Sequence, residues 1–129
     1  MSLTGARPDL AAYERATRVE LPEAVSEASR ILGPKLLAYI CGVSDTRVVR
    51  AWTQGGRSPR SPVPDRIRLA LRVALLITDH DSEPVAQAWF QGLNPQLDDR
   101  SPARLLREGE LADVGPQVIA AARAFAVGG

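Results

Sequence analysis

Arg47 and Arg50 are the side chains best placed for chemistry, because the small and aliphatic residues around them recur at helix-turn-helix intervals. A DNA-reading helix-turn-helix needs a small residue where its two helices cross. It also needs a glycine at the turn and an aliphatic residue on the inner face of the second helix. Ala38, Gly42 and Val48 meet these demands. The first residues of the second helix would lie against base edges in the major groove, so Arg47 and Arg50 are expected to contact guanine edges or phosphates.

Five further residues complete this predicted nucleic-acid surface. Lys35, Arg57 and Arg60 would flank the duplex and make sequence-independent phosphate contacts. Thr46 would contact a base or a phosphate, and Ser44 belongs to the turn before the second helix. The alternative is a tight αα-hairpin inside a helical bundle, which the same spacing allows.

The charge is distributed unevenly along the chain. Residues 30–72 contain nine Lys or Arg and two acids, a net charge of +7, whereas residues 1–29 carry −2 and residues 73–129 carry −4. This asymmetry predicts that the middle of the chain faces an anion and that the end does not. The alternative is that arginine-rich helix faces simply keep the protein soluble.

The composition is that of an ordinary globular domain. The chain has 129 residues, 45% of them hydrophobic and 24% charged, enough for one core with a short N-terminal appendage. The single cysteine excludes an internal disulfide and fits a reducing compartment. The start lacks a signal pattern, and the longest apolar run, residues 67–77, is interrupted by arginines and too short for a membrane span. We therefore expect a cytoplasmic protein without a membrane partner.

Catalytic and metal-binding patterns are weak. His80 lies between aspartates and is expected to be a solvated loop residue. Cys41 has no histidine or second cysteine nearby in sequence, which favours a buried structural thiol. The acid pairs at 98–99 and at 108 and 110 fit solvation or partner contacts better than acid–base chemistry. The sequence predicts no catalytic residue, no cofactor and no metal site, so an enzyme is the least favoured class.

Proline, glycine and apolar periodicity predict an all-α protein, because no segment alternates as a strand would. Predicted helices cover residues 8–18, 22–32, 34–42, 46–54, 63–78, 83–90 and 102–108, with a last helix opened by Gly115-Pro116. The fourth helix would be capped by Ser44 or Asp45, and the sixth by Asp81 or Ser82. The proline-rich connector at 57–65 interrupts the helices.

The predicted organisation has three parts: an N-terminal extension at 1–21, a DNA-binding region at 22–62 and a helical C-terminal region at 63–129. The helix at 63–78 would form the centre of the core, with Arg68 and Arg72 on one solvated strip. Trp52 is expected in the core. The helix at 102–108 is too short to be stable alone, so it must dock on its own core or on a partner. Leu105 and Leu106 are adjacent in that helix, and one of them is expected at the surface.

The C-terminal motifs resemble those of the antitoxins of the Xre/MbcA/ParS type, which have a C-terminal toxin-binding domain. The matching features are Trp52-Thr53, Trp89-Phe90, Asn94-Pro95-Gln96-Leu97, Pro102-Ala103 with Leu105-Leu106, Gly109-Glu110, and the last helix with Val118, Ala121 and Phe125. The resemblance covers roughly residues 24–129. It implies an Xre-like helix-turn-helix followed by a small helical toxin-binding subdomain.

The resemblance also implies two partners. One is a RES-domain toxin that consumes NAD, whose active-site cleft the antitoxin covers with its C-terminal region. The other is operator DNA, through which the antitoxin represses its own operon. The residues expected to bind the toxin are Trp89, Asn94, Pro95, Arg104, Leu105, Arg107, Phe125, Val127, Gly128 and Gly129. The slim tail AFAVGG would enter the cleft, the alternative being a frayed terminus; Phe125 itself is expected to anchor in the core.

Two function classes remain open beside the antitoxin. One is a helix-turn-helix transcriptional regulator whose C-terminal module serves dimerisation or a non-toxin partner. The other is a small enzyme. Because helix-turn-helix proteins usually act as symmetric pairs, we expect a homo-oligomer or a hetero-oligomer with the toxin.

Overall fold

The computed structural model describes residues 8–128, and this part of the chain is all-α, which confirms the predicted fold class. The helices are α1 (Pro8–Arg18), α2 (Leu21–Leu32), α3 (Pro34–Cys41), α4 (Thr46–Thr53), α5 (Val63–Thr78), α6 (Glu83–Gln91), α7 (Pro102–Glu108) and α8 (Leu111–Gly128), with a 3₁₀ turn at Pro95–Leu97. Within these residues, no helix is both long and apolar enough to cross a membrane.

Helix α5 lies at the centre of the fold, as the sequence predicts. It packs against α1, α2, α3, α6, α7 and α8, while α4 packs against α2 and α3. Its buried side chains point to several sides: Ile67, Ala70, Leu71, Val73, Ala74, Leu76 and Ile77. One hydrophobic cluster contains buried residues from all three predicted regions. The core is therefore continuous across the predicted boundaries at 21–22 and 62–63.

The solvated strip expected on α5 is wrong, because α1 covers it. Arg68 Nη1 donates hydrogen bonds to the carbonyl oxygens of Ala16, at 3.0 Å, and Val19, at 2.8 Å. A guanidinium there satisfies carbonyl groups that the end of α1 leaves without partners. Arg72 lies 3.5 Å from Asp9 of α1. Both arginines therefore fasten the N-terminal helix to the core.

Capping residues fix where α4 and α6 begin. Gly42 ends α3 in the left-handed conformation, with φ at 81°, which a residue without a Cβ adopts freely. Asp45 then caps α4, because its carboxylate accepts a 2.8 Å hydrogen bond from the backbone N–H of Arg47. Ser82 caps α6. Asp45 and Ser82 are thus the caps among the predicted alternatives.

Helix α8 begins earlier than predicted, so the expectation that Gly115-Pro116 opens it is wrong. The helix starts at Leu111 and carries Pro116 inside it. Proline disfavours a helical conformation in the residue before it because of a clash with that residue's backbone and Cβ. Gly115 has no Cβ, and a Cβ built there would lie 3.2 Å from Leu69 of α5. The glycine therefore lets the helix continue and also lets α8 approach α5 closely.

Helix α7 buries both of its leucines, so the expectation that one lies at the surface is wrong. Leu105 is 4% exposed and Leu106 is 0% exposed. The reason is that α7 contacts α3, α5, α6 and α8, which surround it on more than one side. Of the predicted alternatives, α7 docks on the protein's own core.

Candidate nucleic-acid and partner interfaces

Helices α3 and α4, residues 34–53, form what we call the α3–α4 unit. The turn between them closes with a 3.0 Å hydrogen bond from the Val43 N–H to the Ala38 carbonyl. Val49 and Trp52 of α4 are buried, whereas Arg47 and Arg50 are exposed. The predicted orientation of α4, with its arginines outward and Trp52 in the core, is confirmed.

Arg47 is paired with a carboxylate, which the sequence analysis did not anticipate. Its Nε lies 3.0 Å and its Nη2 2.8 Å from Oδ2 of Asp45. These hydrogen bonds lower the pKa of Asp45 below its ordinary value and raise the pKa of Arg47. The cap of α4 therefore compensates the charge of the first arginine on its exposed face.

Two grooves flank α4, one at its N-terminal end and one along its length. The basic groove, of about 700 Å³, is lined by Lys35, Ala38, Tyr39, Val43, Ser44, Asp45, Thr46, Arg47 and Arg107. The hydroxyl groove, of about 310 Å³, is lined by Ser26, Ser29, Arg30, Pro34, Thr46, Val49, Arg50 and Thr53. The structure thus brings Lys35, Ser44, Thr46 and Arg47 together, and it places Arg50 on the other side of α4 with Thr46 between them.

Arg57 and Arg60 do not line either of these grooves. Both are exposed in the connector that follows the C-terminal end of α4. Since α4 has eight residues and rises about 1.5 Å per residue, its two ends are about 12 Å apart. The two arginines thus follow the opposite end of α4 from Arg47 and line neither groove.

The helix N-termini of the α3–α4 unit differ from most others in the described chain. Helices α1, α2, α5, α6 and α8 each have an acidic residue in the first turn, which complements the positive end of the helix dipole. Helices α3, α4 and α7 have none there. In α3 and α4 the second residue is even a cation, Lys35 and Arg47. Because the N-cap Asp45 compensates Arg47, Lys35 is the cation at these two helix starts that has no ion pair in the described residues.

A third groove lies at the C-terminal end of the molecule, and we call it the apolar groove. It measures about 750 Å³ and is lined by Val85, Ala88, Trp89, Gly92, Leu93, Asn94, Pro95, Gln96, Ala121, Ala124, Phe125 and Gly128. Five predicted toxin-binding residues meet here: Trp89, Asn94, Pro95, Phe125 and Gly128. Leu93 is 75% exposed, and Val127 near the end of α8 is 89% exposed. This site therefore presents bare apolar surface.

Aromatic contacts shape the floor of the apolar groove. The rings of Trp89 and Phe90 meet edge to face, with centroids 5.4 Å apart and planes at 83°. Phe125 of α8 lies 6.3 Å from Trp89. Phe90 is fully buried, while Phe125 is partly buried and packs against the core, as expected of an anchor.

A tight loop holds the rim of the same groove. The side chain of Asn94 accepts a 2.9 Å hydrogen bond from the N–H of Gln96, and its backbone bridges to Arg100. Asp98 and Asp99 both adopt positive φ, 56° and 60°, a conformation in which aspartate is more acceptable than most residues. The loop therefore holds Pro95 and the exposed Leu93 in a defined position.

The remaining predicted toxin-binding residues do not line the apolar groove. Arg104 pairs with Glu108 on α7, at 3.1 Å. Leu105 is buried and offers no side-chain surface to a partner. Arg107 lines the basic groove instead. Gly129 lies outside the described residues, and the tail through Gly128 is helical rather than irregular.

The residues considered for catalysis lie apart from these grooves. His80 is exposed and 3.5 Å from Asp79. Cys41 is buried, as predicted, and desolvation raises the pKa of its thiol to about 12. Among residues 8–128, no three His, Cys, Asp or Glu side chains cluster as a metal site would require.

Comparison with known proteins relates this fold to toxin–antitoxin systems. No family model and no curated protein matches the sequence. Among solved structures, the chain matches one chain of the crystal structure of the M. tuberculosis MbcT-MbcA toxin-antitoxin complex, with a TM-score of 0.68 and 29% sequence identity. The match covers 85% of this chain and 97% of that chain. The protein therefore has an antitoxin-like fold, similar to a component of that complex.

Proposed function

We propose that the protein is the antitoxin of a type II toxin–antitoxin system that binds a RES-domain toxin and operator DNA. The observation that carries this proposal is the match to a chain of a toxin–antitoxin complex along 97% of that chain's length. Two further observations support the division of labour. The basic and hydroxyl grooves flank α4, whereas the apolar groove lies between α6, the 3₁₀ turn and α8.

The toxin would dock on the apolar groove. Leu93 exposes an apolar side chain in the same groove as Trp89, and Val127 exposes another near the end of α8. Exposed apolar patches of this kind mark interaction sites. At the end of α8, the residues that line the groove include Ala124 and Gly128, which are small and allow another backbone to approach closely. We propose that this end of α8 covers the toxin's NAD-consuming cleft.

Operator DNA would bind the α3–α4 unit, acting as an Xre-like helix-turn-helix with α4 in the major groove. The exposed Arg50, the N-terminal cations of α3 and α4, and the hydroxyl of Thr46 support this placement. The antitoxin would act in the cytoplasm, as a symmetric pair or in a complex with its toxin, and repress its own operon.

The toxin proposal is tested by co-expression with the protein encoded by the adjacent reading frame. Leu93→Asp should abolish co-purification and neutralisation, because it places a charge in an apolar contact. Leu10→Asp is the matched control, since Leu10 is also an exposed leucine, 42% accessible, but lies on α1. Equal loss in both variants, or neutralisation by Leu93→Asp, would refute the assignment of this groove.

The same variants distinguish the proposed antitoxin from the alternative function, a transcriptional regulator whose C-terminal module dimerises. The exposed Leu93 and Val127 would suit a second copy of the chain as well as a toxin. If Leu93→Asp converts a dimer to a monomer, as measured by light scattering, and no neighbouring protein co-purifies with the wild type, the regulator is the correct function.

The DNA proposal is tested by replacing both exposed arginines of α4. Arg47→Ala together with Arg50→Ala should weaken operator binding and leave neutralisation intact. Wild-type binding should also fall steeply as salt rises, since each neutralised phosphate releases counterions. A flat salt response would contradict the electrostatic argument.

A further inference from the structure

Arg107 belongs to α7, outside the α3–α4 unit, yet its side chain reaches that unit. We propose that Arg107 is a backbone-phosphate contact of the DNA-binding surface, so that this surface extends into the C-terminal part of the chain. The inference rests on the proposed DNA binding and deepens it. It also removes Arg107 from the toxin surface on which the sequence placed it.

The position of the guanidinium is fixed by Tyr39. Arg107 Nη1 donates a 2.8 Å hydrogen bond to the Tyr39 carbonyl, and its Cζ lies 4.6 Å from the centre of the Tyr39 ring. A guanidinium has five N–H donors in a planar fork that matches a phosphate. One donor is used on the carbonyl, and the contact with the Tyr39 ring restricts the position of the rest of the guanidinium. Arg107 is therefore held in place while most of its donors stay available.

The electrostatics of the basic groove favour an anion. Its lining contains three cations, Lys35, Arg47 and Arg107, and one carboxylate, Asp45. The carboxylate of Asp45 is paired with Arg47 through two hydrogen bonds. Within residues 8–128, neither Lys35 nor Arg107 forms an ion pair with an acid. These two cations from different helices thus face one open groove without compensation.

The groove also adjoins the start of α4, which the proposed function places in the major groove. Ser44 and Thr46 line it and add hydroxyl donors. A duplex whose major groove holds α4 carries a sugar-phosphate backbone past each side of that helix. A phosphate entering the basic groove would meet Lys35 from α3 and Arg107 from α7.

The test uses Arg107→Gln, Arg107→Lys and, as control, Arg18→Gln, which removes a 78% exposed arginine on α1. Binding to a mixed-sequence duplex of about 30 base pairs is measured by fluorescence anisotropy between about 50 and 200 mM salt. Arg107→Gln should reduce the magnitude of the slope of log K against log salt by about 0.9. Its loss of affinity relative to the wild type is then about 3.5-fold larger at the low-salt end than at the high-salt end. Arg107→Lys should keep the wild-type slope because it keeps the charge, and Arg18→Gln should match the wild type.

Thermal unfolding of each variant accompanies these titrations. The inference is overturned if Arg107→Gln keeps the wild-type slope. If the same variant also fails to co-purify with the toxin, Arg107 belongs to the toxin surface instead. It is also overturned if Arg107→Lys shows the same reduced salt slope as Arg107→Gln together with a lowered melting temperature. Arg107 would then act only by holding α3 in position. Absence of any DNA binding by the wild type would instead refute the proposed function.

Discussion

Replacing Asp45 by Asn should strengthen DNA binding, which is unusual for a substitution at a helix cap. The carboxylate of Asp45 accepts hydrogen bonds from both Nε and Nη2 of Arg47, so it competes with any phosphate for that guanidinium. Asn caps helices about as well as Asp, so the start of α4 should be retained. The substitution therefore removes the competing charge without removing the cap.

The size of the effect follows from the charge balance. In the wild type, Arg47 and Asp45 together contribute no net charge, whereas in Asp45→Asn the arginine contributes one positive charge. One additional neutralised phosphate steepens the salt slope by about 0.9, which makes the gain in affinity about 3.5-fold larger near 50 mM salt than near 200 mM. At every salt concentration the variant should bind at least as tightly as the wild type.

The assay is the same anisotropy titration, run also in an Arg47→Ala background. If the gain comes from releasing Arg47, most of it should disappear in the double variant, as a double-mutant cycle would show. An unchanged slope in Asp45→Asn, with an unchanged melting temperature, would mean that Arg47 does not reach a phosphate. The assignment of the basic groove to DNA would then lose one of its three cations.

Three other predictions follow from the core and the C-terminal helix. Gly109→Ala should destabilise the fold by about 1–3 kcal/mol in urea unfolding, because its Cβ would lie 2.5 Å from Val114, whereas Gly56→Ala meets open space and should be neutral; equal effects would contradict the packing. Cys41, with a pKa raised to about 12, should stay a thiol and resist alkylation near pH 8 until the protein unfolds; rapid labelling of native protein would refute its burial. A chain ending at Ala124 should still bind DNA but release the toxin, and full protection would exclude a role for the end of α8.

The boundaries of most helices could be predicted from the sequence because their signals are local. Proline near a first turn, a glycine with positive φ and a capping side chain act within a few residues. The central helix, residues 63–78, was predicted with its observed bounds, Val63–Thr78. The start of α8 was missed because Pro116 is an ambiguous signal, being tolerated inside a helix when Gly115 precedes it.

Contacts between distant segments could not be predicted in the same way. Arg68 and Arg72 were predicted to be solvated because nothing in the sequence shows where α1 docks. One of Leu105 and Leu106 was expected at the surface because they are adjacent on α7, but both are buried, since other helices surround α7 on more than one side. The contact between Arg107 and Tyr39 spans 68 residues, and no local pattern encodes it.

The fold also changes the meaning of the charge on residues 30–72. Several of its nine cations act within the protein: Arg30 pairs with Glu83, Arg66 donates to the Cys41 carbonyl, and Arg68 and Arg72 hold α1. Of these nine cations, four have side chains that form neither an ion pair nor a hydrogen bond within residues 8–128: Lys35, Arg50, Arg57 and Arg60. All four are exposed and lie in α3, α4 or the connector after them. The uncompensated charge is therefore smaller than +7 suggests but more concentrated. Because an anion responds to local potential and not to the sum over a segment, this concentration supports nucleic-acid binding better than the net charge does.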